Sequence, residues 1–148
     1  MANKNIKGIT IELGGNSTGL QKALKTDDST SVKLNSELKE VNKLIKFEPS
    51  NTELVAQKQK LLTDSIENTS TKLDQLKSAQ SQVEQQFKNG NIGEEQYRAF
   101  QREVAQTEQS LNSYKSQLGG LQSEQQKLGQ NTDRLNTYFS ASGKSVDD

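Results

Sequence analysis

Glu94–Ser140 reads EEQYRAFQREVAQTEQSLNSYKSQLGGLQSEQQKLGQNTDRLNTYFS, and its spacing decides the fold. Steps of four and three residues from Tyr97 pass through Phe100, Val104, Thr107, Leu111, Tyr114, Leu118, Leu121, Gln125, Leu128, Thr132, Leu135 and Phe139. Most of these are apolar, the narrow stripe of a coiled-coil helix. A continuous helix over 94–140 would be roughly 70 Å long at about 1.5 Å per residue, which predicts a rod. Gly119-Gly120 and Gly129 each cost about 1 kcal/mol against alanine, so a bend is expected near the middle.

Working back, Asn89-Gly90-Asn91-Ile92-Gly93 interrupts the pattern with residues that tolerate the left-handed conformation, and Glu94-Glu95 places negative charge at a helix N-terminus. A second helix over 50–88 is predicted from Val55, Gln59, Leu62, Ile66, Thr69, Leu73, Leu76, Gln80, Val83 and Phe87. Its start is read from a Ser50-x-x-Glu53 capping box after Pro49, which closes the element before it. A first helix over 17–47 carries Leu20, Leu24, Leu34, Leu38, Val41 and Ile45 in the same steps, with a weak stretch at 25–31 where the register lands on Asp27 and Ser31. Residues 141–148 are read as a flexible end.

Ahead of the helices, Ile9, Ile11 and Leu13 alternate and stop at Gly14-Gly15, the pattern of one short strand within residues 1–16. A lone strand leaves its backbone groups unpaired, so pairing with a partner is expected. Asn16-Ser17-Thr18 is read as helix-capping sequence. The fold class is therefore all-α after one short strand: long helices with coiled-coil heptads, as a helical hairpin or an oligomeric coiled coil of parallel copies such as a trimer. Packing is assigned to Leu38, Val41, Ile45, Val55, Leu62, Ile66, Leu73, Leu76, Val83, Phe87, Tyr97, Phe100, Val104, Leu111, Tyr114, Leu118, Leu121, Leu128, Leu135 and Phe139. Polar stripe members such as Thr69 and Thr107 would fix register at some loss of stability.

Composition narrows function. Only 29% of the 148 residues are hydrophobic and mean hydropathy is −0.91, so the core must be thin. Nineteen basic and nineteen acidic residues cancel, which argues against direct nucleic-acid binding through phosphates. Cysteine and histidine are absent, which removes thiol nucleophiles, imidazole bases and most zinc sites. No apolar run approaches a membrane span. Gly143-Lys144-Ser145 lacks the earlier glycine of a phosphate loop, since Tyr138 stands in its place. Asp27-Asp28 as a carboxylate or metal pair would need a cleft that nothing here predicts. No catalytic residue, metal or cofactor is assigned, and no enzymatic activity is expected. The seventeen glutamines fall mostly on outer helix positions and read as an uncharged soluble face.

Three blocks carry a resemblance. Ile6-Lys7-Gly8-Ile9-Thr10-Ile11-Glu12-Leu13-Gly14-Gly15 followed by Thr18-Gly19-Leu20-Gln21-Lys22-Ala23-Leu24, then Leu34 to Leu44 with Pro49 to Leu54, then Ile92-Gly93-Glu94-Glu95-Gln96-Tyr97-Arg98, together resemble the N-terminal part of tail length tape measure proteins of long-tailed bacteriophages and prophages. The resemblance covers about residues 6 to 115. It implies a structural virion component made in the bacterial host cytoplasm and housed in the tail lumen, where it sets tail length and guides tail tube assembly. It also implies a longer parent protein, self-association, and as partners the tail tube protein, tail assembly chaperones and tail-tip proteins. A bacterial coiled-coil scaffold or tether would use the same heptads, and the helical stalk of a cell-wall hydrolase is a more distant alternative.

Overall fold

The computed structural model describes residues 6–130, and they form an all-α fold that follows a two-stranded sheet. Strand β1 (Thr10–Leu13) turns at Gly14-Gly15 into β2 (Asn16–Gly19), after which come helices α1 (Leu20–Ala23), α2 (Lys25–Phe47), α3 (Thr52–Lys88) and α4 (Glu94–Gln130). The second strand corrects the expectation of a lone strand awaiting a partner. The two strands pair antiparallel with Leu13 opposite Asn16 and Ile11 opposite Thr18. Gly14 and Gly15 have φ of 58° and 86°, and a two-residue loop with both central residues left-handed is the turn that matches strand twist. Asn16-Ser17-Thr18 is thus strand rather than cap, and Gly19 precedes α1 with no side-chain cap.

The outer edge of β1 is closed by glutamine side chains. Peptide groups of Thr10 and Glu12 point away from β2, since the hydrogen-bonded pairs alternate with them. Gln82 on α3 meets Glu12 with both ends of its amide, accepting from its N–H and donating to its carbonyl at 3.2 Å. Gln86 donates to the Thr10 carbonyl, and Gln96 on α4 donates to the Lys7 carbonyl at 2.9 Å. These side chains occupy the place of a third strand. Gln82→Ala should remove about 1 kcal/mol per lost bond locally. Faster hydrogen exchange at the Glu12 amide, with the global unfolding midpoint little changed, is the expected readout.

Helix α2 runs without interruption through 25–31, so no break lies there; the discontinuity falls one residue earlier, at Leu24. Asp27 meets the core face, which is why the register reads as broken: a carboxylate holds an apolar position. The cap of α3 is Asn51, not Ser50. Asn51 Oδ1 accepts from Leu54 N–H at 3.1 Å while its Nδ2 donates to Glu48 at 2.7 Å, leaving Ser50 in the turn with Pro49. Between α3 and α4, Gly90 takes φ 76°, with Gly90 N–H donating to Phe87 carbonyl and Asn91 N–H to Gln86 carbonyl, the paired bonds of a Schellman motif. Gly119-Gly120 does not interrupt α4, which stays helical through Gln130.

The three long helices fold back on one another, with α3 in the middle between α2 and α4. Phe87 stacks on Tyr97 across the loop, with ring centroids 4.3 Å apart and planes at 3°. Near the middle of α4 the Tyr114 hydroxyl donates to Asn35 Oδ1, linking α4 directly to α2. Because α2 begins only level with the middle of α3, where Asp28 meets Lys72, the half of the α3–α4 pair beyond it would lie bare. The hairpin and α1 cover it: Ile6, Ile9, Ile11, Leu20 and Leu24 pack with Leu76, Ala79, Val83, Ile92, Ala99 and Phe100. Burying such side chains contributes roughly 1.5–3 kcal/mol each, so the N-terminal segment is structural in a chain with so few apolar residues.

Candidate functional site

The packing stripe forms the interior of one folded chain. Leu38, Val41, Leu62, Leu76, Val83, Phe100, Leu111 and Leu121 are buried. Ile45, Val55, Ile66, Leu73, Tyr97, Val104, Tyr114 and Leu118 are partly buried, and Phe87 is 36% exposed while stacked on Tyr97. Leu128 lies within α4, whereas Leu135 and Phe139 lie outside the described residues, as do residues 141–148 with Gly143-Lys144-Ser145. Because α3 has a neighbour on each side, it needs a wider buried surface than a four-three stripe supplies. Ser65 and Ala79 fill the difference, small residues that let helices approach closely.

Two apolar clusters share the interior. The first is the hairpin cluster; the second joins Leu38, Leu62 and Leu121, with Val55, Leu61, Tyr114 and Leu118 against it. Between them lies a polar layer. Lys72 Nζ stands 2.8 Å from Asp28 and 2.7 Å from Glu103, so one ammonium on α3 ties α2 to α4. Glu103 is 3% exposed and its second oxygen, Oε2, is buried without a hydrogen-bond partner. Thr107 donates to the Glu103 carbonyl at 2.7 Å, and Asn68 Nδ2 donates to the Asp27 carbonyl at 3.1 Å. Desolvation works to lower the Lys72 pKa, but its bonds to Asp28 and Glu103 outweigh that and hold it above the usual lysine value. Lys72 therefore stays charged, and the layer fixes the register of three helices as buried polar groups do in coiled coils. Surface pairs such as Lys60 with Asp64 and Arg98 with Glu94 add little by comparison.

Asp27 is the strained member. Burial raises its pKa first, and repulsion from Asp28 adds to this, only partly offset by Lys72. Because the folded value is raised, the folded state holds the proton more tightly. Stability is then lost as pH rises from the ordinary aspartate range through the folded pKa. Asp27→Asn should therefore raise the melting temperature at neutral pH, with the advantage over the parent shrinking as pH falls through the raised folded pKa and gone below the ordinary aspartate value of about 4. Thermal melts of both proteins between acid and neutral pH measure it.

Sequence reasoning missed Ser65, Ala79, Ala99, Glu103 and the internal role of Asp27. The signal for Asp27 was present, since the helical steps land on it; Glu103 had none, sitting as one charge among many. Asp28 turns to Lys72 while Asp27 is buried, and no group of three or more potential metal ligands occurs among the described residues. No helix among the described residues is long and apolar enough to cross a membrane. No protein-family model, curated protein or solved structure matches the chain.

Proposed function

We propose that the chain is the N-terminal segment of a tail length tape measure protein, a structural component without enzymatic activity or cofactor. It would lie in the phage tail lumen after synthesis in the host cytoplasm and meet the tail tube protein, assembly chaperones and tail-tip proteins. One observation supports this above the others. The residues that carry the family resemblance also build the hairpin and its seat: Ile9, Ile11, Leu20 and Leu24 are buried, Gly14-Gly15 makes the turn, and Gln96 clamps Lys7. Local sequence likeness and tertiary role fall on the same positions.

The folded form changes the mechanism proposed. A straight ruler gains about 1.5 Å per helical residue, but three helices folded side by side reach little beyond the longest, roughly 55 Å for the 37 residues of α3. In this reading residues 6–130 are a docking head, and tail length is set outside them. In-frame removal of residues 6–130, followed by electron microscopy of particles, is the test. Loss of tail assembly is the outcome expected of a docking head. Intact tails shorter by roughly 190 Å would mark an extended ruler instead, and tails of normal number and length would sink the reading altogether.

A further inference from the structure

The two ends of α2 carry unlike surfaces that fit each other in separate copies of the chain. At its start, an open groove of about 680 Å³ is bordered by Lys7, Lys22 and Lys25, with Gly8, Ile9, Val32 and the Lys72-paired Asp28 among its walls. Val32 is 65% exposed, and none of the three lysines has an ion-pair partner among the described residues. At the other end, Phe47 is 79% exposed and Leu44 46% exposed. Leu44 lines a second groove with Glu37 and Glu40, which also have no ion-pair partner among the described residues. At 100° per residue, Lys39 and Lys46 fall on the flank of α2 away from Leu44 and Glu37, and Lys43 lies between that flank and Phe47.

From this juxtaposition the geometry points to a head-to-tail contact between copies, in which Phe47 and Leu44 of one copy enter the lysine-bordered groove of the next and its glutamates face the lysines. An exposed apolar knob at one place and a complementary groove at another make a heterologous interface, which propagates unless the rotation closes a ring. The charged rim sets orientation and is weakened by salt. The packing stripe cannot serve this purpose, because folding of the single chain already covers it. The inference is independent of the proposed function.

Two variants block opposite ends: Phe47→Ser removes the knob, and Lys22→Glu with Lys25→Glu reverses the groove. All these positions are exposed, and circular dichroism should show unchanged helix content. In sedimentation velocity the parent chain should grow in mass with concentration, and each variant alone should stay monomeric. Mixed in equal amounts, the variants retain one good knob and one good groove, so they should form a one-to-one dimer and grow no further. A parent that is monomeric throughout, variants that grow as the parent does, or a mixture that stays monomeric would overturn the contact.

Discussion

Lys72→Met lowers folding stability by about 3–5 kcal/mol, the loss typical when one partner of a buried ion pair is removed. The size follows from what is left behind. Glu103 keeps only 4% of its side-chain surface, its Oε2 is already without a partner, and the lost ammonium supplied the 2.7 Å contact to Oε1. Asp28, with 23% of its side chain accessible, can recover water and contributes less to the loss. Lys72→Met combined with Glu103→Leu should regain most of the stability, since replacing both members by apolar groups removes the stranded charge. Urea titrations of the parent, the single and the double variant give the comparison. A single-variant loss below about 1 kcal/mol, the scale of an exposed pair, would show that the layer is effectively solvated. Because Lys72 holds its proton more tightly when folded, its contribution is complete below the ordinary lysine pKa and fades only as pH rises through the higher folded value.

Phe100→Ala should cost a similar amount, about 3–5 kcal/mol, through lost transfer energy and the cavity left behind. Phe100 is 2% exposed and sits in the cluster that seats the hairpin on α3 and α4. Its removal should therefore also release the N-terminal segment, seen as faster hydrogen exchange at the amides of Ile11 and Leu20. Leu62→Ala, in the other cluster, should cost about 2–5 kcal/mol without that selective effect. Equal hairpin exchange in the two variants at matched stability would contradict the division of the core into two clusters.

The helices were legible because their signal is periodic and local. From Tyr97 to Leu121 the apolar positions recur at four and three, and every apolar one of them is buried or partly buried. The hairpin was half legible. Ile9 and Ile11 alternate as a strand should, but Asn16-Ser17-Thr18-Gly19 has no apolar member and packs nothing deeply, so its strand character comes from the Gly14-Gly15 turn and from pairing. The closing of the β1 edge was not legible at all. Gln82, Gln86 and Gln96 lie far along the chain from the carbonyls they meet, and they look like any other helix-surface glutamine. The same holds for Glu103, whose burial depends on its meeting Lys72 across the reversal at Gly90. Reversals set by Pro49 and Gly90 were readable as breaks; that they fold the stripe inward depends on tertiary packing.

A folded-back head and an extended rod differ most in the distance between α2 and α4. Spin labels at Ser36 and Lys115, both exposed, flank the Asn35–Tyr114 contact. A pulsed dipolar measurement on the dilute chain should return one short distance, as for helices whose axes lie roughly 10 Å apart. A distance on the order of 100 Å, which the intervening residues would span as continuous helix at about 1.5 Å each, would contradict the folded head.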